Sequence, residues 1–207
     1  MNILALDSSS QAVSVAFVTR SNGQTNIIFQ ETLHQARFES SSLFTGMLKA
    51  KNVAGSPNAV VVGLGPGSYN GLRAGIAAAR AFATAMEIPL YAFPSPLAVE
   101  GPPDGFWVIG DARGGHYWIA CVKEGVFLEK PFLSPSHLAT LHMATRPDLP
   151  VISSTALDGI PHLHIASPMA GLLATLSENG GPFDGTPEPL YLKPPHITSP
   201  RIISSNS

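Results

Sequence analysis

The chain opens on a continuous apolar run, Ile3 to Leu6, that ends in an acid, Asp7. Such a run reads as a strand buried on both faces that delivers a carboxylate to the edge of its sheet. A polar turn follows at Ser8 to Gln11, and Val13, Val15 and Phe17 then alternate with Ser14 and Ala16 as a second strand. Ser21-Asn22-Gly23 turns the chain into a third strand at Thr25 to Gln30. Across residues 35–50, Leu43, Phe44, Met47 and Leu48 recur at i, i+4 spacing and predict a helix, although Ser40, Ser41 and Ser42 weaken it. Ala59 to Leu64 is another buried strand. It runs into Gly65-Pro66-Gly67-Ser68, after which Gly71 to Met86 predicts a long helix ended by Pro89, with a short strand at Leu90 to Phe93.

Residues 94 to 105 have the proline and glycine content of a linker. Beyond it the opening pattern repeats. Phe106 to Ile109 is an apolar strand reaching Asp111, Ala112-Arg113-Gly114-Gly115 is a polar turn, and strands follow at His116 to Val122 and Val126 to Leu128. The two acids lie 104 positions apart, so the economical reading is one architecture used twice. Two lobes are expected, 1–100 and 101–207. The second is expected to be small and loop-heavy, because 14 of the 19 prolines lie beyond residue 101. It offers one further clear strand, Pro150 to Ser153, and a short helix near Met169 to Ser177. The proline-rich tail, 182–207, reads as a brace laid over both lobes.

Composition narrows the function. Charged residues are 13% of the chain, about half the usual ~25%, and neither half is basic, since residues 1–100 carry six Lys/Arg against five Asp/Glu and residues 101–207 six against nine, a net charge of −2. Autonomous nucleic-acid binding, which needs clustered Lys and Arg against phosphates, is disfavoured. The single cysteine, Cys121, forms no internal bridge and fits a reducing compartment. Met1 to Asp7 lacks the basic start of a signal peptide, and no apolar run approaches the ~18 residues of a membrane span. A cytoplasmic protein with no membrane partner is expected.

A duplicated strand, acid and turn, with a glycine-rich loop feeding a helix, is how the actin, hexokinase and sugar-kinase architecture holds a nucleotide between two lobes. Asp7 and Asp111 would orient a metal ion or water there, and the Gly65 to Ser68 loop would cradle phosphate. The loop is not a Walker motif, as no Gly-Lys-Ser/Thr follows, nor a hydrolase elbow, as Pro66 stands where glycine is required. The long helix is the more informative feature. Gly71, Gly75, Ala79 and Ala83 recur every four residues, and Ala74, Ala78, Ala81 and Ala85 keep the neighbouring face small. Such a helix can be approached closely, by its own sheet or by a partner helix. His162, His164, His137 and His142 lack carboxylates at ligand spacing, so no metal site is expected. Cys121, mid-strand, reads as a buried inert thiol.

Four segments carry a resemblance: Ile3-Leu4-Ala5-Leu6-Asp7-Ser8-Ser9; Gly63 through Gly75, reading Gly-Leu-Gly-Pro-Gly-Ser-Tyr-Asn-Gly-Leu-Arg-Ala-Gly; Asp111-Ala112-Arg113-Gly114-Gly115-His116-Tyr117-Trp118; and Pro189-Leu190-Tyr191-Leu192-Lys193. Together they resemble the TsaB (YeaZ) family of glycoprotease-like, Gcp-like proteins. The likeness is dense over residues 1 to 100 and thins between 125 and 185. It implies an α/β, actin-like ATPase fold (ASKHA, ribonuclease H-like), bilobed, with duplicated mixed sheets and a shortened second lobe.

The function implied is that of a non-catalytic dimerisation subunit in the machinery that places threonylcarbamoyl on tRNA adenosine. Its implied partners are a catalytic TsaD-like paralogue and a TsaE-like ATPase, with a homodimer when alone, tRNA met only through the complex, and no cofactor. The resemblance puts the partner interface on the helices near 35–50 and 71–86, at Leu43, Met47, Gly71, Leu72, Ala74, Gly75, Ala78, Ala79 and Phe82. It makes Asp7, Ser8, Gly65, Gly67, Ser68 and Asp111 a vestigial nucleotide cleft. The paralogue's His-x-x-x-His ligand pair has no counterpart, since Gln35, Ala36, Arg37 and Phe38 follow His34. Relatives usually carry Phe-Thr in place of Tyr69-Asn70 and an acid in place of His116. The rival reading is a nucleotide-dependent kinase or ATPase working through Asp7 and Asp111.

Overall fold

Strand β1 (Asn2–Asp7) is the axis of the first lobe, and its Ile3 to Leu6 are wholly buried. It pairs antiparallel with β2 (Ala12–Ser21) on one side and parallel with β4 (Ala59–Gly63) on the other. β3 (Gln24–His34) and β5 (Leu90–Phe93) complete a five-stranded sheet of order β3-β2-β1-β4-β5. The computed structural model that shows this describes residues 1–22, 24–34, 40–176 and 187–193.

One face of the sheet is covered by α1 (Ser40–Ala54) and α2 (Tyr69–Met86), which contribute Leu43, Met47, Ile76 and Ala79 to a core with Leu4, Leu6, Val13 and Val15. The expected start of α1, residues 35–39, lies outside the described residues. Ser68 caps α2, its Oγ accepting from the Gly71 amide, and Glu87 closes the helix in the left-handed conformation, with φ 53°.

The second sheet repeats the first. β6 (Phe106–Asp111) pairs antiparallel with β7 (His116–Lys123) and parallel with β9 (Val151–Ser153). With β8 (Val126–Pro135) and β10 (Leu163–Ile165) the order is β10-β9-β6-β7-β8, the first lobe's order with each strand replaced by its counterpart. β10 and the five-residue α3 (Ala139–Met143) were not expected from the sequence. Both are short, and β10 carries His164 at its centre and follows Pro161, which hides it from any alternation count. The second lobe is the reduced copy: α3 stands where the first lobe has a 15-residue helix.

The two halves exchange one element. α4 (Ala170–Leu176) follows the second sheet in sequence, yet it packs on the open face of the first. There Ala170, Leu173 and Ala174 are fully buried with Ile3, Ala5, Ala16 and Val18, and the Ala170 amide donates to Ser14 Oγ at 3.0 Å. The first lobe is therefore three layers whose third layer comes from the chain's other half, which a division at residue 101 did not foresee. Leu173→Ala is expected to destabilise the protein by about 2–5 kcal/mol, as other buried Leu truncations do. Chemical denaturation followed by fluorescence checks this, and an unshifted midpoint would show that α4 does not hold the first sheet.

Candidate functional site

The residues that the sequence singles out meet at the carboxyl ends of β1 and β4. Asp7, the last residue of β1, is wholly buried, and its Oδ1 accepts from the amide and hydroxyl of Ser9 at 2.9 and 2.6 Å. Its Oδ2 is buried without a hydrogen-bond partner. Burial pushes the Asp7 carboxyl above its ordinary range, and bonds from Ser9 together with the neighbouring Ser95 hydroxyl offset only part of that effect.

The turn after Asp7 sits deep against the segment from β4 to α2, and four glycines make the fit. A Cβ at Gly63 would strike the Asp7 carboxylate, one at Gly67 the Ser9 carbonyl, one at Gly71 the Ser8 carbonyl and one at Gly75 the Ser8 hydroxyl. In the space so vacated the Ser8 hydroxyl donates to the Gly71 carbonyl at 2.8 Å. The glycine ridge of α2 thus faces the chain's own first turn.

Most of the residues expected at the partner contact are turned into the chain. Gly71, Leu72, Gly75, Ala78 and Ala79 are buried within the chain, Ala74 and Phe82 are half-buried, and Leu43 and Met47 of α1 point into the core. The residues that face outward are their neighbours. On α1 these include Phe44, 50% exposed, and Leu48, 59% exposed; on α2 they include Arg73, Ala77, Arg80, Ala81, Thr84 and Ala85.

The loop expected to cradle phosphate spends two of its amides, those of Gly65 and Ser68, internally. The Gly65 amide donates to Ser95 Oγ at 2.9 Å, the Ser68 amide to the Ser9 carbonyl at 2.7 Å, and the Gly71 amide to Ser68 Oγ at 3.3 Å. Gly65 and Ser8 are buried, whereas Gly67 is exposed. Of the two acids only Asp111 reaches solvent, and its Oδ1 accepts from the Arg113 amide at 2.7 Å. Asp7 therefore serves here as a buried anchor of its turn, not as an accessible metal-orienting group.

Elsewhere, Glu129 joins His142 and Arg146, a cluster that sequence spacing did not signal because the partners lie 13 and 17 positions away. Burial opposes the Glu129 charge, but the hydrogen bonds from His142 and Arg146 outweigh it and hold its carboxyl low. Burial pushes the Cys121 thiol up, away from the reactive thiolate. Among the described residues no three His, Cys, Asp or Glu side chains are grouped to hold a metal ion, and no helix is long and apolar enough to cross a membrane.

Comparison with known proteins gives this geometry a context. The TsaD family model, described as tRNA N6-adenosine threonylcarbamoyltransferase, matches residues 40–98, which run from α1 past β5. Uncharacterised proteins of Mycobacterium bovis and Mycobacterium tuberculosis are 31% identical over 202 residues, spanning 93% of this chain and 92% of theirs. A crystal structure described as an uncharacterised protein with similarity to peptidase YeaZ from Pseudomonas aeruginosa superposes with a TM-score of 0.73 at 19% identity, over 93% of this chain and 99% of that one. YeaZ from Pseudomonas aeruginosa superposes with a TM-score of 0.68 at 20% identity, over 85% of this chain and 90% of its own. The chain belongs to the TsaB/YeaZ-like Gcp family.

Its fold is the α/β, actin-like ATPase fold with two mixed sheets. For this TsaB/YeaZ-like chain, the match to the TsaD family takes in the paired helices and the four glycines that line the turn, while the turn itself lies before it.

Two outcomes are expected from the buried turn. Gly75→Ala should destabilise by about 1–3 kcal/mol through overpacking, and Ser8→Ala in the same chain should recover part of the loss. A double-mutant cycle by thermal denaturation checks the coupling; simple additivity would show that the two groups do not compete for one space. Asp7→Asn should raise Tm at pH 7, because Asn keeps the acceptor for Ser9 and removes a charge that burial penalises. The raised folded pKa means that this penalty is absent below the ordinary carboxyl value of ~3.9 and grows as pH rises through the folded value. The gain should therefore shrink to nothing as the pH is lowered below ~3.9, and a gain independent of pH would contradict the account.

Proposed function

We infer that this protein is a non-catalytic subunit of a tRNA threonylcarbamoyladenosine modification complex, which pairs with a TsaD-like catalytic paralogue through the outward faces of α1 and α2. A TsaE-like ATPase joins the pair, and tRNA is met through the complex. Alone, the chain uses the same faces to form a homodimer.

The observation that carries this reading is the outward face itself. Phe44 and Leu48 stand one turn apart and half or more exposed on α1, and on the adjoining α2 the exposed positions Ala77, Ala81 and Ala85 are small. Bulky apolar anchors beside a recessed strip of alanines suit a helical partner that seats closely. The family membership and the match to TsaD over residues 40–98 support the choice of partner. The rival kinase or ATPase reading has less behind it, since Asp7 is sealed and three amides of the loop region are spent.

Light scattering on a sizing column, with the chain alone and mixed with the TsaD-like paralogue of the same organism, tests the pairing. The expected result is a one-to-one heterodimer that replaces the homodimer. Phe44→Glu/Leu48→Glu should weaken the heterodimer by about 30-fold or more, the size of an interface hot spot, with Tm little changed because both side chains face solvent. A chain indifferent to the paralogue would overturn the reading.

A further inference from the structure

The two lobes are joined on one side by covalent structure. The chain passes from the first sheet to the second through residues 94–105 and returns through 166–169, where the Met169 amide donates to the Ala98 carbonyl at 2.8 Å. The outgoing connection enters β6 at Phe106, and the Asp111 turn lies at the other end of that six-residue strand, about 17 Å away at ~3.3 Å per residue. The connection also packs on the second sheet, Leu97 and Val99 clustering with Val108, Trp118 and Val122, so it is the hinge about which the second lobe would turn.

Residues 187–193 lie at that far end. The Leu190 amide donates to the Leu64 carbonyl at 2.8 Å, just past the end of β4, and the Leu190 side chain packs against the first core. The Tyr191 ring stacks on Tyr69, the first residue of α2, with centroids 5.3 Å apart. Lys193 Nζ then donates to the Arg113 carbonyl, in the turn that follows β6, at 2.9 Å. Within four residues the segment grips both flanks of the Gly65–Ser68 loop and the corresponding turn of the other lobe.

We propose that residues 187–193 are an intrachain strap that fixes the angle between the lobes by closing the side opposite the hinge, the place where an actin-like cleft would otherwise take a bridging ligand. The strap makes the lobe angle a property of the chain, independent of nucleotide. This inference stands apart from the pairing with a paralogue, because it concerns the chain alone.

Spin labels at Asn26→Cys and Leu141→Cys, both exposed and one in each lobe, report the interlobe distance in the full chain, since the native Cys121 is fully buried. The parent should give one narrow distance distribution, unaltered by ATP and magnesium. Tyr191→Ala/Lys193→Ala should broaden it at least twofold with far-ultraviolet circular dichroism unchanged. Tyr69→Ala, which removes the stack from the α2 side, should broaden it without touching the strap, and Glu188→Ala, an exposed strap position without a side-chain bond here, should leave it narrow. Unchanged widths in both Tyr191→Ala/Lys193→Ala and Tyr69→Ala, or equal broadening by Glu188→Ala, would overturn the proposal.

Discussion

A single steric condition organises the first lobe: the turn after β1 lies where four Cβ atoms would have to be. Gly63, Gly67, Gly71 and Gly75 fall at intervals of four, and each leaves room for a different part of Asp7, Ser8 or Ser9. Glycine in a helix costs about 1 kcal/mol relative to alanine. Two such residues in α2 are tolerated because they let a buried serine hydroxyl reach the Gly71 carbonyl and let the helix lie tight on the sheet. Once the ridge is committed inward, the helical period fixes which residues remain outside, and the exposed face of α2 follows from the buried one.

The same packing decides the electrostatics of the cleft. A carboxylate at a strand end is useful to a metal or a phosphate only if water and ligand reach it, and Asp7 is sealed by the glycine-lined contact. Its counterpart in the second copy shows what the contact does. Asp111 ends an equivalent strand, but the long helix that would close over it has no equivalent, so that acid remains exposed in an open turn. One duplicated motif thus yields a structural acid in one lobe and a solvated one in the other, the difference lying in what packs behind the turn.

Much of this was legible in the residues. Apolar runs and alternation marked the strands near the centres of both sheets, and the repeat at a distance of 104 positions announced one architecture used twice, although not its strand order. The glycine spacing was equally visible, but spacing tells which residues share a face and not what that face meets. Both a foreign helix and the chain's own turn satisfy it, and only the fold chooses. The same ambiguity governs α1, where Leu43 and Met47 form one i, i+4 stripe and Phe44 and Leu48 another. Each stripe could face the sheet, and the first does. The destination of α4 was beyond any local pattern, because a short apolar helix can cover whichever sheet lies open, and its own lobe precedes it in sequence.

The inward commitment of α2 also determines how its outer face can act. Along its outward Ala77, Ala81 and Ala85 stripe, with Arg73 and Arg80 beside it, α2 has shallow relief, so a partner axis seated on that stripe can approach to the lower end of the usual 8–10 Å. Alanine by itself buries little apolar area, and it is the adjoining α1, with Phe44 and Leu48, that supplies the bulk. Neither helix alone would make an interface of useful strength. In the proposed pairing the two together would do so only while the core holds them side by side, and on the α2 side that core is held by the glycine-lined turn. The buried turn and the outward surface are therefore two ends of one mechanical arrangement, and a substitution at Gly75 acts on the surface by way of the fold.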